Sequence, residues 1–511
     1  MGSINRRQAI GAGLAAVAAW PLLARAGEAP GAPTFALGVA SGCPRPDSVV
    51  LWTRLIFPEA PSDPFSFAPV VEAPRGPVEI DWVIALDREL TRIVQSGRYE
   101  TVGDFAHSAH IEVTGLEAGM TYYYRFATAT VASAVGRTRT APPAGSMEPV
   151  TFAYASCQHF EQGFYAAYRD MAGRDLDFVL HLGDYIYESS SGAGRVRSHD
   201  GPIPTTLGEF RARHATYKSD ANLQSAHAAF AWLLIWDDHE VVNNYYSDAA
   251  PTAPQAEAFL ARRRAAYQAW YEHMPVPPHI EPGFDNLTIR DYYSFGSLLD
   301  LALLDARQYR THVAQSLAEA ADPDRTMLGP DQEEWLARRL SVAQARWTMI
   351  AQPTLLSERV SGSGKEADIL DGWDGYQAAR RRLLGMVDAA GVSNPVFVGG
   401  DVHTFYAAEL PRDFLEPAPG NLAVEFTVGS ITSNGPSAKA TAAALAGNSH
   451  IKFAEGQQHG YAIARVSATR LETQFLAVSD RADPDATTFN LASFAVADGE
   501  PALITTGPHT S

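Results

Sequence analysis

Short apolar runs broken by Gly, Pro and Asp fill residues 35–140, in the segments VVLWTRL, VEIDWVIAL, RIVQSGRY, HIEVTGL, TYYYRFATA and ASAVGRTRT. Their alternation and spacing predict the strands of a small β-sandwich. The stretch 141–149, APPAGSMEP, reads as a linker. Beyond it strands and helices alternate. VTFAYAS and DFVLHLG predict buried strands, with FYAAYRDMAGR as the helix that joins them. Helices are expected over 207–219, 254–273, 330–345 and 374–390, and strands in AWLLIWD, LLDLALLDA, RWTMIAQ, NPVFVGG and LAVEFTVGS. This order predicts an α/β layered domain over 150–511 behind an all-β domain over 30–142.

The first 26 residues have a different character. Asn5-Arg6-Arg7-Gln8 precedes a weakly apolar stretch over 9–23, and Ala24-Arg25-Ala26 has the small-x-small form of a cleavage site. Paired arginines ahead of a modest apolar run look like a twin-arginine export signal. The expected partner is then the twin-arginine export machinery, and the expected location is periplasmic or secreted. The stretch is too short and too rich in Ala and Gly to span a membrane, so no stable insertion is expected after its removal. Of 511 residues 46% are hydrophobic and 19% charged, as in an ordinary soluble protein. The formal charge of −18 argues against a nucleic-acid backbone as the main partner, because a polyanion needs a basic surface. Export allows Cys43 and Cys157 to form a disulfide, but Cys157 sits in a polar cluster at a strand end and reads better as a metal ligand.

Four clusters carry the chemistry: YASCQ at 154–158, HLGDYIYE at 181–188, WDDHE at 236–240 and GGDVH at 399–403. Each ends a strand-like segment with oxygen, sulfur or imidazole donors, so together they read as one metal site assembled from four strand ends. A strand-end Gly-Asp pair such as Gly183-Asp184 is common in surface turns; Tyr187 three residues on turns the reading towards a metal, since a phenolate suits ferric iron. Tyr185 reads as a packing aromatic. Asp237, Glu240, Asn243 and Asn244 stand ready to complete the shell. A solvated acidic turn is hard to reconcile with the apolar AWLLIW before this cluster.

GDxxY matches the second motif of purple acid phosphatases within the calcineurin-like metallophosphoesterases, and GGDVH resembles their closing GHxH motif with Asp401 in place of the first His. In order along the chain, FALGVASGCPRPDSVVLWTRL, ASCQ, GDYIYE, WDDHEVVNN, LLDARQYR, LGPDQEEWL, WDGYQAAR, GGDVHTF and EFTVGSITSNG together resemble the PhoD-like alkaline phosphatases. Cys43 departs from that pattern, which has Asp there, but lies outside the site motifs. The segment VTGLEAGMTYYYRF resembles the late strands of a fibronectin type III domain. The resemblance implies a layered metallophosphoesterase-type β-sandwich flanked by helices. It also implies an Fe3+ ion held by Cys157, Asp184, Tyr187 and His403, and Ca2+ held by Asp184, Asp238, Asp401 and Asn244. His239 takes the phosphate-facing or proton-donor role. A metal-bound hydroxide is expected to attack phosphorus in line, without a phosphoenzyme.

Arg307 and Arg310 are candidate bidentate phosphate binders, with structural pairing to carboxylates as the alternative. Trp373, Asp374 and Tyr376 read either as a substrate wall or as a helix-start packing cluster, and His159 either as a participant or as a hydrogen-bonded loop residue. The C-terminal stretch ASFAVADGEPALITT is a candidate cover for the site. The leading functional expectation is hydrolysis of phosphate monoesters, with diesters as further substrates. The alternatives are a phosphodiesterase or phospholipase D acting on lipids, nucleotides or wall polymers, and a non-catalytic extracellular binding protein.

Overall fold

Alternation along each central strand sorts its side chains between two cores. In Val150–Ala155, Phe152 and Tyr154 face one core while Ala153 and Ala155 face another. In Pro395–Gly399, Val396 and Val398 join the first core and Phe397 a third. Strands buried on both faces must lie inside a layered stack, which is why they read as continuous apolar runs. The computed structural model describes residues 33–57, 76–199, 201–250, 256–278, 283–360, 370–416 and 418–508. The export signal expected over 1–26 and the start of the first domain at 30 lie outside the described residues.

Two sheets form the middle of the stack. The first has ten strands in the order Ile504–Thr505, Thr488–Ala497, Arg470–Val478, Gly460–Val466, Val150–Ala155, Phe178–Leu182, Ala231–Ile235, Val39–Gly42, Ser48–Arg54 and Ser108–Thr114. The second has seven, in the order Asp291–Phe295, Leu299–Leu303, Trp347–Ala351, Pro395–Gly399, Asn421–Thr427, Phe405–Pro411 and Ile451–Glu455. Phe152, Phe178, Phe295, Phe426 and Phe475 fill the space between them. Helices Ala166–Ala172, Leu207–Lys218, Ala221–Ala229 and Ala256–His273 cover the outer face of the first sheet, and Pro330–Leu340 and Gln377–Ala390 cover the second. Helix Leu207–Lys218 starts on a capping box in which Thr206 and Glu209 satisfy each other's backbone N–H groups.

The first sheet runs on into the N-terminal part of the chain. Val39–Gly42 pairs in parallel with Ala231–Ile235, matching Ser41 to Ala231 and Gly42 to Trp232. Only glycine fits at position 42, where a Cβ would lie 2.1 Å from the Pro275 carbonyl oxygen. Ser48–Arg54 and Ser108–Thr114 continue that sheet and pack through Leu51, Ile111 and Val113 on a four-stranded sheet containing Ile80, Tyr122, Tyr124 and Phe126. The small sandwich thus shares one of its sheets with the large one. The helix expected over 330–345 stops at Leu340, because the chain must turn into Trp347–Ala351. That expected over 374–390 opens with a 3-10 turn, Trp373–Tyr376, before Gln377–Ala390. Helices Ala221–Ala229 and Ala438–Gly447 were not expected.

Candidate metal centre

Strands Val150–Ala155, Phe178–Leu182 and Ala231–Ile235 run parallel in one sheet, and Leu299–Leu303, Trp347–Ala351 and Pro395–Gly399 run parallel in the other. The residues that follow their C-terminal ends meet, as ligand sites do in parallel sheets. Cys157, Asp184 and His403 bring donor atoms within 4.8 Å of one another; so do Asp184, Asp238 and His239, and so do Asp184, Asp237, Asp238 and Asp401. Asp184 belongs to all three groups, as a bridging ligand would. Cys157, Asp184, Asn244, Asp401 and His403 all adopt left-handed backbone conformations, with φ from 51 to 64°. Such strain in residues other than glycine collects where the fold must aim a side chain. Gly183 is required beside them: a Cβ there would stand 2.5 Å from the Asp237 Cβ.

One side of the centre is built on Tyr187. Its hydroxyl donates to Asp184 Oδ2 at 2.8 Å, lies 3.1 Å from His403 Nε2 and accepts from Ser433 Oγ at 2.8 Å. His403 donates through Nδ1 to the Asn434 carbonyl at 2.7 Å, which leaves Nε2 as the nitrogen facing the cluster. His159 packs its ring on Tyr187 at 4.4 Å and accepts the Glu161 N–H, so it acts as a buried loop histidine. Burial, followed by the charge of Asp184, pushes the Cys157 thiol and the Tyr187 phenol well above their ordinary values.

Carboxylates make the other side. Burial raises Asp184 and Asp237 well above the usual range and pushes Asp401 up to about 6. Asp238 is instead lowered: burial opposes ionisation, but the charges of Arg307 and His239 outweigh it. Asp238 Oδ1 is buried without a hydrogen-bond partner. An orphaned carboxylate oxygen among like charges is the donor set a cation satisfies, so these residues fit a metal. Thr354 donates to Asp401 Oδ2 at 2.6 Å, and the Asn244 side-chain amide lies against Asp238 and Asp371. Glu240 is not aimed at the cluster. Its carboxylate accepts the N–H groups of Asp184, Tyr185 and Asp237 at 3.2, 2.6 and 2.9 Å and so fixes two motif turns together.

Of the two readings of Arg307 and Arg310, the structure shows the pairing to carboxylates. Arg307, 1% exposed, grips both oxygens of Asp237, pairs with Asp371 at 2.5 Å and reaches Asp401 at 3.4 Å. Arg310 binds Asp371 at 2.8 Å and the Tyr245 carbonyl. Four clustered carboxylates demand a buried counter-charge, and these guanidinium groups supply it. Trp373, Asp374 and Tyr376 form a packing cluster, with Trp373 Nε1 on Gln352, Asp374 on Arg380 at 2.6 Å and Tyr376 on the Thr311 carbonyl. The C-terminal stretch does not cover the centre either. Its contacts, from Asp498 to Arg346 and Asn394 and from Pro501 to Asn421, lie at the opposite ends of the strands. Cys43 and Cys157 are both free, separated by two intervening strands.

Several residues went unread in the sequence. Glu188 binds His239 Nδ1 at 2.6 Å and the Asn243 N–H at 3.0 Å. Burial opposes a charge on His239, but Glu188, Asp184 and Asp238 raise its pKa well above the ordinary value. The glutamate closing GDYIYE was its only trace in the sequence. Asp371, Thr354 and Ser433 carried no signal of their own.

The fold and the centre together define a metal-dependent hydrolase. A family model described as PhoD-like phosphatase matches residues 152–475, and one described as PhoD-like phosphatase, N-terminal domain, matches 22–142. The sequence is 40% identical over 476 residues to alkaline phosphatase D of Bacillus subtilis (strain 168), covering 90% of this chain and 80% of that protein. A solved structure of PhoD superposes with a TM-score of 0.88 at 38% identity, covering 95% of this chain and 94% of the other. A purple acid phosphatase from yellow lupin (Lupinus luteus) seeds shares the fold, with a TM-score of 0.57 at 11% identity over 91% of this chain and 74% of its own. The chain belongs to the PhoD-like phosphatase family.

Proposed function

We propose that this metal-dependent phosphatase hydrolyses phosphate monoesters, and diesters more slowly, outside the cytoplasm. The observation that carries the reading is the convergence of three donor groups on Asp184. Fe3+ is assigned to Cys157, Asp184, Tyr187 and His403, and Ca2+ to Asp184, Asp238, Asp401 and Asn244, because phenolate, thiolate and imidazole suit the first and carboxylate oxygens the second. Cations held there supply charge neutralisation at phosphorus and a water acidic enough to react near neutral pH. His239, held at Nδ1 by Glu188 and charged under its influence, donates to a phosphoryl oxygen and passes a proton to the departing alkoxide. Arg307 and Arg310 hold the carboxylate array in register rather than gripping substrate.

The test is the ratio of kcat/KM for p-nitrophenyl phosphate and bis-p-nitrophenyl phosphate, with calcium supplied. A ratio above one supports the monoesterase; a ratio below one makes the protein a phosphodiesterase. Inversion at a chiral phosphorus is expected for one displacement by water, and retention overturns it. An intense visible absorption band together with iron by mass spectrometry supports the ferric assignment, and a colourless, active, zinc-loaded enzyme defeats it. Replacing Arg6 and Arg7 together by Lys is expected to stop export of the full-length chain.

A further inference from the structure

A polar recess of about 360 Å³ opens where loop 190–196 faces segment 480–482, lined by Gln162, Ser191, Asn434, Asp480 and Arg481 among others. That size sits near the lower end of small-molecule pockets, which run from about 300 to 1,000 Å³, so it suits one small group rather than a polymer. The recess adjoins the metal centre. The Asn434 carbonyl accepts from His403 Nδ1 at 2.7 Å, its N–H donates to Gln162 Oε1 at 2.6 Å, and its neighbour Ser433 binds the Tyr187 hydroxyl.

Its outer wall is pinned. The buried Glu161 carboxylate accepts Ser190 Oγ at 2.6 Å and the N–H groups of Ser191 and His199 at 2.7 Å each, while the Glu161 carbonyl accepts the Val196 N–H at 2.7 Å. On the inner wall the Arg481 guanidinium is engaged by the Thr432 carbonyl at 2.5 Å, by His459 at 2.7 Å and by Asn434 Oδ1. Two amide nitrogens remain, Gln162 Nε2 and Asn434 Nδ2, neither with a partner among the described residues. Asp480 accepts the Ala482 N–H through Oδ1 at 2.8 Å, and its Oδ2 has no hydrogen-bond partner among the described residues. Two neutral donors beside one carboxylate acceptor match hydroxyl groups, which both accept and donate; the charges of Asp480 and Arg481 offset each other, so the recess holds no net charge for a phosphate or carboxylate, which offers only acceptors.

We propose that this recess is the leaving-group subsite and that it selects esters of uncharged, hydroxyl-rich alcohols, with Asp480 as the specificity-determining residue and Glu161 as a positioning residue. The inference rests on the phosphatase reading above. The test measures kcat/KM for glycerol 2-phosphate, ATP and p-nitrophenyl phosphate in wild type, Asp480→Ala and Asp480→Lys. In Asp480→Ala the glycerol-to-nitrophenyl ratio is expected to fall about tenfold, mainly through KM, as for loss of one hydrogen bond to a charged group. In Asp480→Lys the ATP-to-nitrophenyl ratio is expected to rise. Equal ratios in all three proteins overturn the subsite while leaving the phosphatase reading intact. A wild type that hydrolyses none of the esters removes that reading, and the subsite with it.

Discussion

Two regions of the protein bury titratable groups, and they differ in one respect. At the strand ends, carboxylates, a thiol, a phenol and imidazoles turn their donor atoms to common points, within 4.8 Å of one another. Behind the ten-stranded sheet, His181, His214, His227, His273 and Lys218 gather around Tyr185, Trp232, Trp52 and Arg54. His214 stacks on His273 at 4.9 Å, His227 on Trp232 at 3.9 Å, and Lys218 lies over the Trp52 ring at 4.3 Å. Burial depresses every one of these bases, with Lys218 pushed down to about 7. Yet both nitrogens of His181 and of His214 lack partners, and the rings share neighbours without sharing a focus. Perturbed titration marks both regions equally; convergence of donor atoms marks only the first. A metal centre is marked by the aim of its donor atoms rather than by their burial.

The strongest way to break this contrast is at the shared carboxylate. Asp184→Asn is expected to lower kcat by about 10³-fold or more, because the residue serves all three donor groups. A fall of less than about tenfold would remove Asp184 from the centre. Next in size, Arg307→Met leaves Asp237 buried without its counter-charge and Asp371 with Arg310 alone. Denaturant unfolding is expected to show a loss of about 3–5 kcal/mol, and an unchanged midpoint contradicts the counter-charge role. Tyr187→Phe keeps the ring against His159 and His239 but removes the hydroxyl. Metal affinity, followed by competition with a chelator, is expected to weaken about 10- to 100-fold.

The smallest effect belongs to the second region. Each of its histidines is lowered from the ordinary value of 6.5, His181 to about 3. The unfolded chain therefore binds more protons than the folded one below pH 6.5, and stability falls with falling pH down to the folded values. The slope is about 1.4 kcal/mol per pH unit for each such histidine. Thermal unfolding between pH 7 and 5 is expected to show this, with a shallower slope in His214→Gln. Equal slopes in the two proteins would sink the account.

Much of the centre was legible because its ligands follow directly on apolar strands, so the motifs and the strand ends announce each other. Asp184 and Tyr187 after FVLHL, or Asp401 and His403 after PVFVG, are local signals. What stayed hidden is non-local. Arg307 reads as a phosphate fork until Asp237, seventy residues earlier in the chain, is placed against it. No long apolar run precedes Asp371 in the sequence, and its role depends on two arginines supplied by another strand end. The ten-stranded order escaped prediction for the same reason, since nothing in VASG says that its neighbour is AWLLI.

That strand order also sets a timetable. Val150–Ala155, which ends at Cys157, lies between Phe178–Leu182 and Gly460–Val466, and the latter is made about 300 residues later. At about 5–20 residues per second, the ribosome leaves this strand with one bare edge for roughly a quarter of a minute to a minute. Val39–Gly42 likewise waits for Ala231–Ile235. The ten-stranded sheet stays unfinished until the strands from Gly460 onward emerge, so the half-made protein is the form most exposed to edge-to-edge association and the one for which a chaperone matters most.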